Sequence, residues 1–538
     1  MANQWDTEKI NKWVAQGKLT REYITQRMDR MIRDGYALYE SEEAVIMGIF
    51  EHACTHEGDS TTILTESGFI SLLQSKAALP STPEGIHGGK IIYSSIAYLS
   101  TIPFPKHPDA RTSQLEGLSY NQLARGLIWA SPGRYSYIIE EGNRSRQRTN
   151  ADHRRLIFQS LASTTHAKPY HPEQARQMAL KNAFDVDDPD FYHEFCSSNH
   201  DDDGDEIYHD LLDVLYSMQP VIDPRYATVH RDAFRATAKL LMEQNKVTSL
   251  HSLAIPTEDF IALARVLLAL QFEPTDVKID LSQYTTAAQT VCAAFCQDSN
   301  AEVISWPTFN HAFRDIMPYL FETFYRLLSC TFMDKSSIFD VFDATPPPTT
   351  SGNILTTPRQ SQLVTFLAGS VYFGDLYCCY QYAGQNRPSI AAIINVLETV
   401  PDEAIMVISG TTKAGEYCIF GIFSPEPKAD GPSIQTNVLP GIAKRERCSL
   451  FQLAPMQDTF RGVVGKPGWI VNSNAVSFGQ DGGVEMIIKD GLLAEIRHEV
   501  VNVDEGRGAY EANVWRGNWT VEFEVAELEI WSEHDGQN

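Results

Sequence analysis

The sequence predicts an α+β chain, with an all-helical N-terminal region followed by a β-rich C-terminal module. Three observations carry that prediction. Apolar residues recur at helical spacing through the first two thirds of the chain. The stretch Thr345-Pro346-Pro347-Pro348-Thr349-Thr350-Ser351-Gly352 cannot hold a helix, because proline lacks an N–H and disfavours α geometry before it. Beyond it come β-branched and aromatic runs: Ile405 to Ser409, Cys418 to Phe423, and Val521 to Trp531, in which apolar residues alternate with glutamate as on a strand with one wet face.

Taken in order, Thr20 can cap a helix carrying Ile24, Met28, Met31 and Ile32, stopped by Gly35. Ser41 can cap the next, with Val45, Ile46, Ile49, Phe50 and Ala53 on its stripe. Further helices are expected over 65–79, 88–101 and 118–131. Arg144-Ser145-Arg146-Gln147-Arg148, with Arg154 and Arg155 nearby, reads as a solvated basic loop. From Phe184 to Asp213 there are twelve Asp or Glu and no Lys or Arg, a self-repelling linker. Helices resume at Ile207–Tyr216, Asp232–Gln244, Thr257–Leu270, Thr285–Gln297 and Pro307–Phe332, with one more at Ser389–Leu397. The expected domains are 1–183, helical; 184–210, acidic linker; 211–344, helical; 345–358, Pro/Thr-rich linker; and 359–533, the β-rich module.

With 538 residues the chain exceeds a single core. A net charge of −25 argues against direct nucleic-acid binding, which needs a positive field. Nine cysteines without a CxxC pair suggest a reducing compartment. No signal-peptide layout and no run of about 18 apolar residues appears, so a cytoplasmic protein without a transmembrane segment is expected.

The acidic run invites a calcium reading. Placing Gly204 at position 6 of an EF-hand loop puts Asn199, Asp201 and Asp203 at ligand positions and Asp210 at the last. Glu206 stands where an apolar residue belongs and Asp210 is short for bidentate ligation, so a solvated loop is the competing and favoured reading. A repeated spacing adds to this: Ile255 precedes Phe260 by five residues and Ile304 precedes Phe309 by five, with a fainter copy at Leu64 and Phe69. That matches the apolar loop position and first core residue of EF-hand-like modules, whose ligand positions here could not balance a divalent ion. His52 and His56 sit four apart around Cys54, but Ala53 stands where a metalloprotease has glutamate. Cys292 with Cys296, and the Cys378-Cys379 pair, read as core residues. Gly479-Gln480-Asp481-Gly482-Gly483 reads as a tight turn with close backbone approach. No catalytic residue, cofactor loop or nucleotide fingerprint emerges.

Phe420-Gly421-Ile422-Phe423-Ser424, Ser449-Leu450-Phe451-Gln452-Leu453-Ala454-Pro455, the glycine turn and the closing Leu528-Glu529-Ile530-Trp531 together resemble the TLDc domain family. The chain departs from the family's pattern at Val500–Trp519, which is longer and charged. Pro103-Phe104-Pro105, Leu211 to Leu215 and Gln219-Pro220 are similar to a fungal member with a telomere-capping name. The resemblance implies a two-layer β-sandwich with flanking helices over 359–533 and helical EF-hand-like modules ahead of it. It also implies a non-enzymatic regulator without cofactor that binds V-type ATPase subunits and affects their assembly, peripheral at the vacuole and linked to oxidative-stress resistance. The alternative is a calcium-responsive sensor. Ala2 stands where an N-myristoylated member would need glycine, so no lipid anchor is expected.

Overall fold

The computed structural model describes residues 4–34, 40–57, 61–105, 116–134, 139, 150–165, 208–219, 229–243, 250–272, 279–296, 301–333, 346, 348, 350–400, 403–425, 448–463, 466, 468–472, 474–500 and 508–533. Two compact units form. One comprises Met1–Leu263, Glu302–Asn310 and Phe324–Asp343; the other comprises Ala264–Ala301, His311–Thr323 and Ala344–Asn538. The boundaries differ from those expected, since parts of the second helical region fold with the C-terminal unit.

The first unit is helical. Thr20 caps Arg21–Arg33 by accepting from the Tyr23 amide at 3.2 Å, as its sequence indicates. Ser119 and Gln122 form a capping box on Tyr120–Ala130. Ser41 lies inside its helix, Glu40–Ala53, one residue past the start and so not at the capping position. Two short strands, β1 (Thr55–Glu57) and β2 (Thr61–Ile63), pair antiparallel. His56 therefore lies on a strand beyond the helix end, which dissolves the i, i+4 histidine pair with His52. Strands β3 (Thr164–Thr165), β4 (Leu253–Pro256) and β5 (Val303–Ser305) form a small sheet in which Ile255 faces Ile304. Leu64 and Leu118 make a matching bridge, exchanging backbone hydrogen bonds at 2.8 and 2.9 Å. Five residues after each bridging residue comes a helical core residue: Phe69, Leu123, Phe260 and Phe309, all at most 1% exposed.

The Asn150–Leu161 helix is buried on every side, including its charges. Both Arg155 Nη groups donate to Asp210, at 2.7 and 2.8 Å, and Arg231 donates to Asp213 at 2.6 Å. Arg134 clamps Glu42 with two bonds, at 3.0 and 2.8 Å. Arg154 and Arg155 are thus interior ion-pair and hydrogen-bond donors and not a solvated loop; Arg144, Arg146 and Arg148 lie outside the described residues. A buried guanidinium requires such partners, since stripping water from an unpaired charge costs several kcal/mol (order of magnitude).

Among the described residues the second unit is built on a sheet of ten strands. They are β6 (Leu376–Ala383), β7 (Ala404–Thr412), β8 (Tyr417–Ser424), β9 (Ser449–Ala454), β10 (Asp458–Arg461), β11 (Ile470–Asn472), β12 (Ala475–Phe478), β13 (Gly483–Lys489), β14 (Leu493–Glu499) and β15 (Trp519–Glu533). Their order is β10-β9-β8-β7-β15-β14-β13-β12-β11, and β6 pairs with the later half of β15. The long β15 pairs with β14 through its first half and with β7 and β6 through its second. Met406, Ile408, Phe420 and Ile422 pack against Val476, Met486, Ile488 and Ile496 to form the inner core. The Ile390–Thr399 helix, expected over Ser389–Leu397 and capped by Ser389, adds Ile390, Ile393 and Leu397 to it.

The opposite faces of β7 and β8, with Ile405, Val407, Ile419 and Phe423, are covered by Leu363, Val364 and Leu367 of the Thr357–Leu367 helix. Covering on both faces explains why these strands are continuously apolar. The helix lies partly within the stretch read as linker. The single helix expected over 307–332 is broken instead into Trp306–His311, a π-turn at Ala312–Ile316 and Glu322–Phe332, around Pro318. Cys292 and Cys296 are core residues, but Cys379 is exposed and Cys378 only half-buried on β6, so that pair is not a core pair.

The glycine turn behaves as its composition suggests. Gly479, Asp481, Gly482 and Gly483 all have positive φ, and a Cβ on Gly483 would lie 2.1 Å from the Tyr510 carbonyl oxygen.

Candidate functional site

Two polar constellations in the second unit combine burial with saturated hydrogen bonding. The first is centred on Glu529, on the later half of β15. Glu522 and Glu524 face water as the alternation predicts, but Glu529 is fully buried. Its carboxylate accepts from the backbone amides of Asn353, Ile354 and Leu355 at 2.6, 2.9 and 3.1 Å. Gln381 Nε2 and the Trp531 indole complete the set at 3.2 and 3.0 Å. Three successive amides aimed at one carboxylate form an anion nest. Gly352 leaves room for it, since a Cβ there would lie 2.3 Å from Glu529 Oε2. The closing Leu528-Glu529-Ile530-Trp531 thus ties the start of the unit's last segment, Ala344–Asn538, to its last strand.

The second constellation is centred on Asn513, which caps a short 3-10 turn at Val514–Arg516. Its side-chain amide donates to both oxygens of Asp458, at 3.3 and 3.2 Å. Its Oδ1 accepts from the Trp515 amide at 3.1 Å and from His311 Nε2 at 3.1 Å. Its backbone N–H donates to His498 Nε2 at 2.9 Å, while His498 Nδ1 donates to the Gly517 carbonyl at 2.7 Å. This pairing fixes His498 as the neutral Nδ1–H tautomer. Burial, under the Trp519 ring at 5.0 Å and the Phe460 edge at 5.5 Å, pushes its pKa down to about 4.

His311 has an oxygen partner facing each ring nitrogen, Asp315 at 2.8 Å and Asn513 at 3.1 Å. Burial works to raise the Asp315 carboxyl, but bonds from His311 and Arg314 hold it well below the usual carboxylate range. Burial pushes Asp458 upward against the pull of Arg516, whose guanidinium donates to it at 3.2 Å and to Gln452 at 2.7 Å. The same guanidinium lies 4.6 Å above the Trp519 ring. Gly517, with φ 60° and ψ −164°, turns the chain where a side chain would be strained, and Asn518 accepts from the Val500 amide at 2.8 Å.

The result is a loop held at Asn513, Arg516, Gly517 and Asn518 that presents Val514, 62% exposed, at its crest. It lies in the stretch where the sequence departs from its apparent relatives. Neither constellation holds a nucleophile with an activating base. Three thiols of the unit are pushed the wrong way for nucleophilic chemistry: burial raises Cys378 to about 12 and Cys418 to about 11, and raises Cys379 as well.

Of the residues proposed for calcium, Asn199, Asp201 and Asp203 lie outside the described residues. Asp210 lies in the His209–Ser217 helix, 3% exposed, with each carboxylate oxygen taken by Arg155. It is an interior ion-pair partner and not a free loop ligand. Among the described residues no group of three or more His, Cys, Asp or Glu could hold a metal ion. Sequence reasoning missed His311, Asp458, His498 and Asn513, whose partners lie up to 202 residues apart. It named Glu529 but read it as solvent-facing.

The family model of the TLDc domain matches residues 348–534. The C-terminal unit therefore carries a TLDc domain, whose match begins inside the stretch read as linker and includes the Asn353–Leu355 nest. TLDc domains are protein-interaction modules. Among curated proteins no relative matches the chain. No helix among the described residues is long and apolar enough to cross a membrane.

Proposed function

We propose that the chain is a non-enzymatic regulator whose TLDc domain docks on the vacuolar proton-pumping V-type ATPase and shifts its assembly, acting in the cytoplasm at the vacuolar surface. The observation that carries this reading is the pinned Asn513–Asn518 loop, a preformed contact element on an interaction module. A loop already held in one conformation loses little entropy on binding. Regulation of assembly then requires different affinities for the assembled and disassembled pump. The raised pKa values of Cys378, Cys379 and Cys418 support a binding role over thiol catalysis for this domain. The likeness of the upstream residues to the fungal member named for restriction of telomere capping is part of the same proposal.

Pull-down with the full chain from a vacuolar fraction should recover ATPase subunits, and Val514→Asp, at an exposed position, should reduce recovery at unchanged thermal stability. A clean, abundant preparation that recovers no subunit overturns the reading.

A second reading, a calcium-responsive sensor built from EF-hand-like modules, is favoured by the paired Ile255–Ile304 and Leu64–Leu118 bridges, each followed by a core residue five positions on. Calorimetry decides it: no heat at millimolar calcium removes the sensor reading and leaves the helical pairs as scaffold.

A further inference from the structure

Strand β6, Leu376–Ala383, lies at an edge of the sheet, and among the described residues it pairs with β15 alone. The other edge strands, Asp458–Arg461 and Ile470–Asn472, are half its length or shorter. Its sequence, Leu-Tyr-Cys-Cys-Tyr-Gln-Tyr-Ala, contains no charge and no proline, the usual guards of a solvent-facing edge.

Backbone direction can be read from two contacts. The Cys379 thiol donates to the Ile530 carbonyl at 3.1 Å, so that carbonyl faces β6, and antiparallel alternation makes its register partner Tyr380 the inward-facing residue. The Leu376 carbonyl, in contrast, accepts from Thr350 Oγ1 at 3.2 Å and so faces away from β15. The register slips by one residue at Cys379, between Ile530 and Trp531. Alternation then turns the backbone groups of Leu376, Cys378, Gln381 and Ala383 outward. Thr350 occupies the first of these. From Cys378 to Ala383 no described backbone group pairs with them.

The geometry points to a strand-addition site: the outer edge of β6 from Cys378 to Ala383 receives an extended segment of a protein partner, which continues the sheet. Only an extended chain matches a row of outward N–H and C=O groups at strand spacing. The charge around the edge selects the segment. Asp375 is exposed just before the strand, and Glu527 stands on β15 opposite Ala383 at its far end, while Glu524 beyond it is paired with Arg387. A segment with β-branched residues in its middle and lysine or arginine at its ends fits that surround. The site is separate from the Asn513 loop and does not depend on which complex the domain serves.

The probe is a labelled hexapeptide of alternating valine and threonine flanked by lysines, added to the full chain. Controls are the same peptide with glutamate ends and a lysine-ended peptide of alternating glycine and serine. Expected results are saturable binding of the first, at least tenfold weaker binding of both controls, and slowed hydrogen exchange confined to amides of 378–383. Ala383→Pro removes one outward N–H without touching the ladder to β15. It should weaken binding at least tenfold while the melting temperature of the unbound protein stays within a few degrees. Should Ala383→Pro lower that temperature further, Ala383→Lys on the unmodified backbone replaces it, and should likewise weaken the lysine-ended peptide. Equal binding of the glycine–serine control, protection elsewhere, or no protection at saturating peptide would overturn the proposal.

Discussion

Glu529→Gln tests whether the closing motif is a buried staple. Glu529 Oε1 accepts from Asn353, Ile354 and Gln381, and Oε2 from Leu355 and Trp531. Glutamine is nearly isosteric, so packing is preserved and only the acceptors change. Its NH₂ cannot serve the donors on one side. With the NH₂ placed at the Oε2 position, the Leu355 amide and the Trp531 indole both face a donor. Hydrogen bonds to a charged group contribute about 1.5–3 kcal/mol each, so losing two predicts a destabilisation of about 3–6 kcal/mol. Urea unfolding of the full chain, followed by hydrogen exchange at Asn353, Ile354 and Leu355, reads this locally. Those amides should be strongly protected in the parent and lose most of that protection in the variant. Gly352→Ala, whose Cβ would collide with the same carboxylate, should cost a similar amount, and the double variant should cost less than the sum because both break one contact. A loss below about 1 kcal/mol with the three amides still protected would refute the staple.

Other perturbations follow from the same geometry. Gly483→Ala combines a φ of 74° with a clash on the Tyr510 carbonyl and should destabilise the C-terminal unit by at least about 2 kcal/mol, measured by thermal melting. His498 is neutral in the folded state with its pKa depressed to about 4, so between about 6.5 and 4 the unfolded chain binds the extra proton. Its contribution is therefore present above pH 6.5 and lost as pH falls toward 4, worth about 1–3 kcal/mol. In a His498→Gln variant the slope of stability against pH over that window should flatten, and an unchanged slope would contradict the assignment. Asp210→Asn removes the closer, bidentate counter-charge of buried Arg155, leaving only Asp152 at 3.5 Å, and should cost about 3–5 kcal/mol in the helical unit. A change under 1 kcal/mol there (order of magnitude) would mean the pair is not formed as drawn.

The sequence by itself determined the helical and β-rich halves, the Thr20 cap, the glycine turn and the strands β7, β8 and β15. Each of these is local: a capping oxygen acts within three residues, and an apolar run marks burial whatever covers it. The +5 spacing of Ile255 and Phe260 was legible for the same reason, although that Ile255 meets Ile304 was not. What only tertiary structure decided are contacts between distant residues. Glu529 sits in an alternating acidic pattern identical in kind to that of Glu522 and Glu524, yet it is buried because three amides from the far end of the domain converge on it. Arg154 and Arg155 look like part of a solvated basic run, yet Asn310 and Asp210 draw them inside. The Asn513 junction joins residues from His311 to Trp519, and no local pattern marks any of them. Hydrogen-bond partners that fold supplies across the chain turn a polar residue from surface to core, and periodicity carries no record of them.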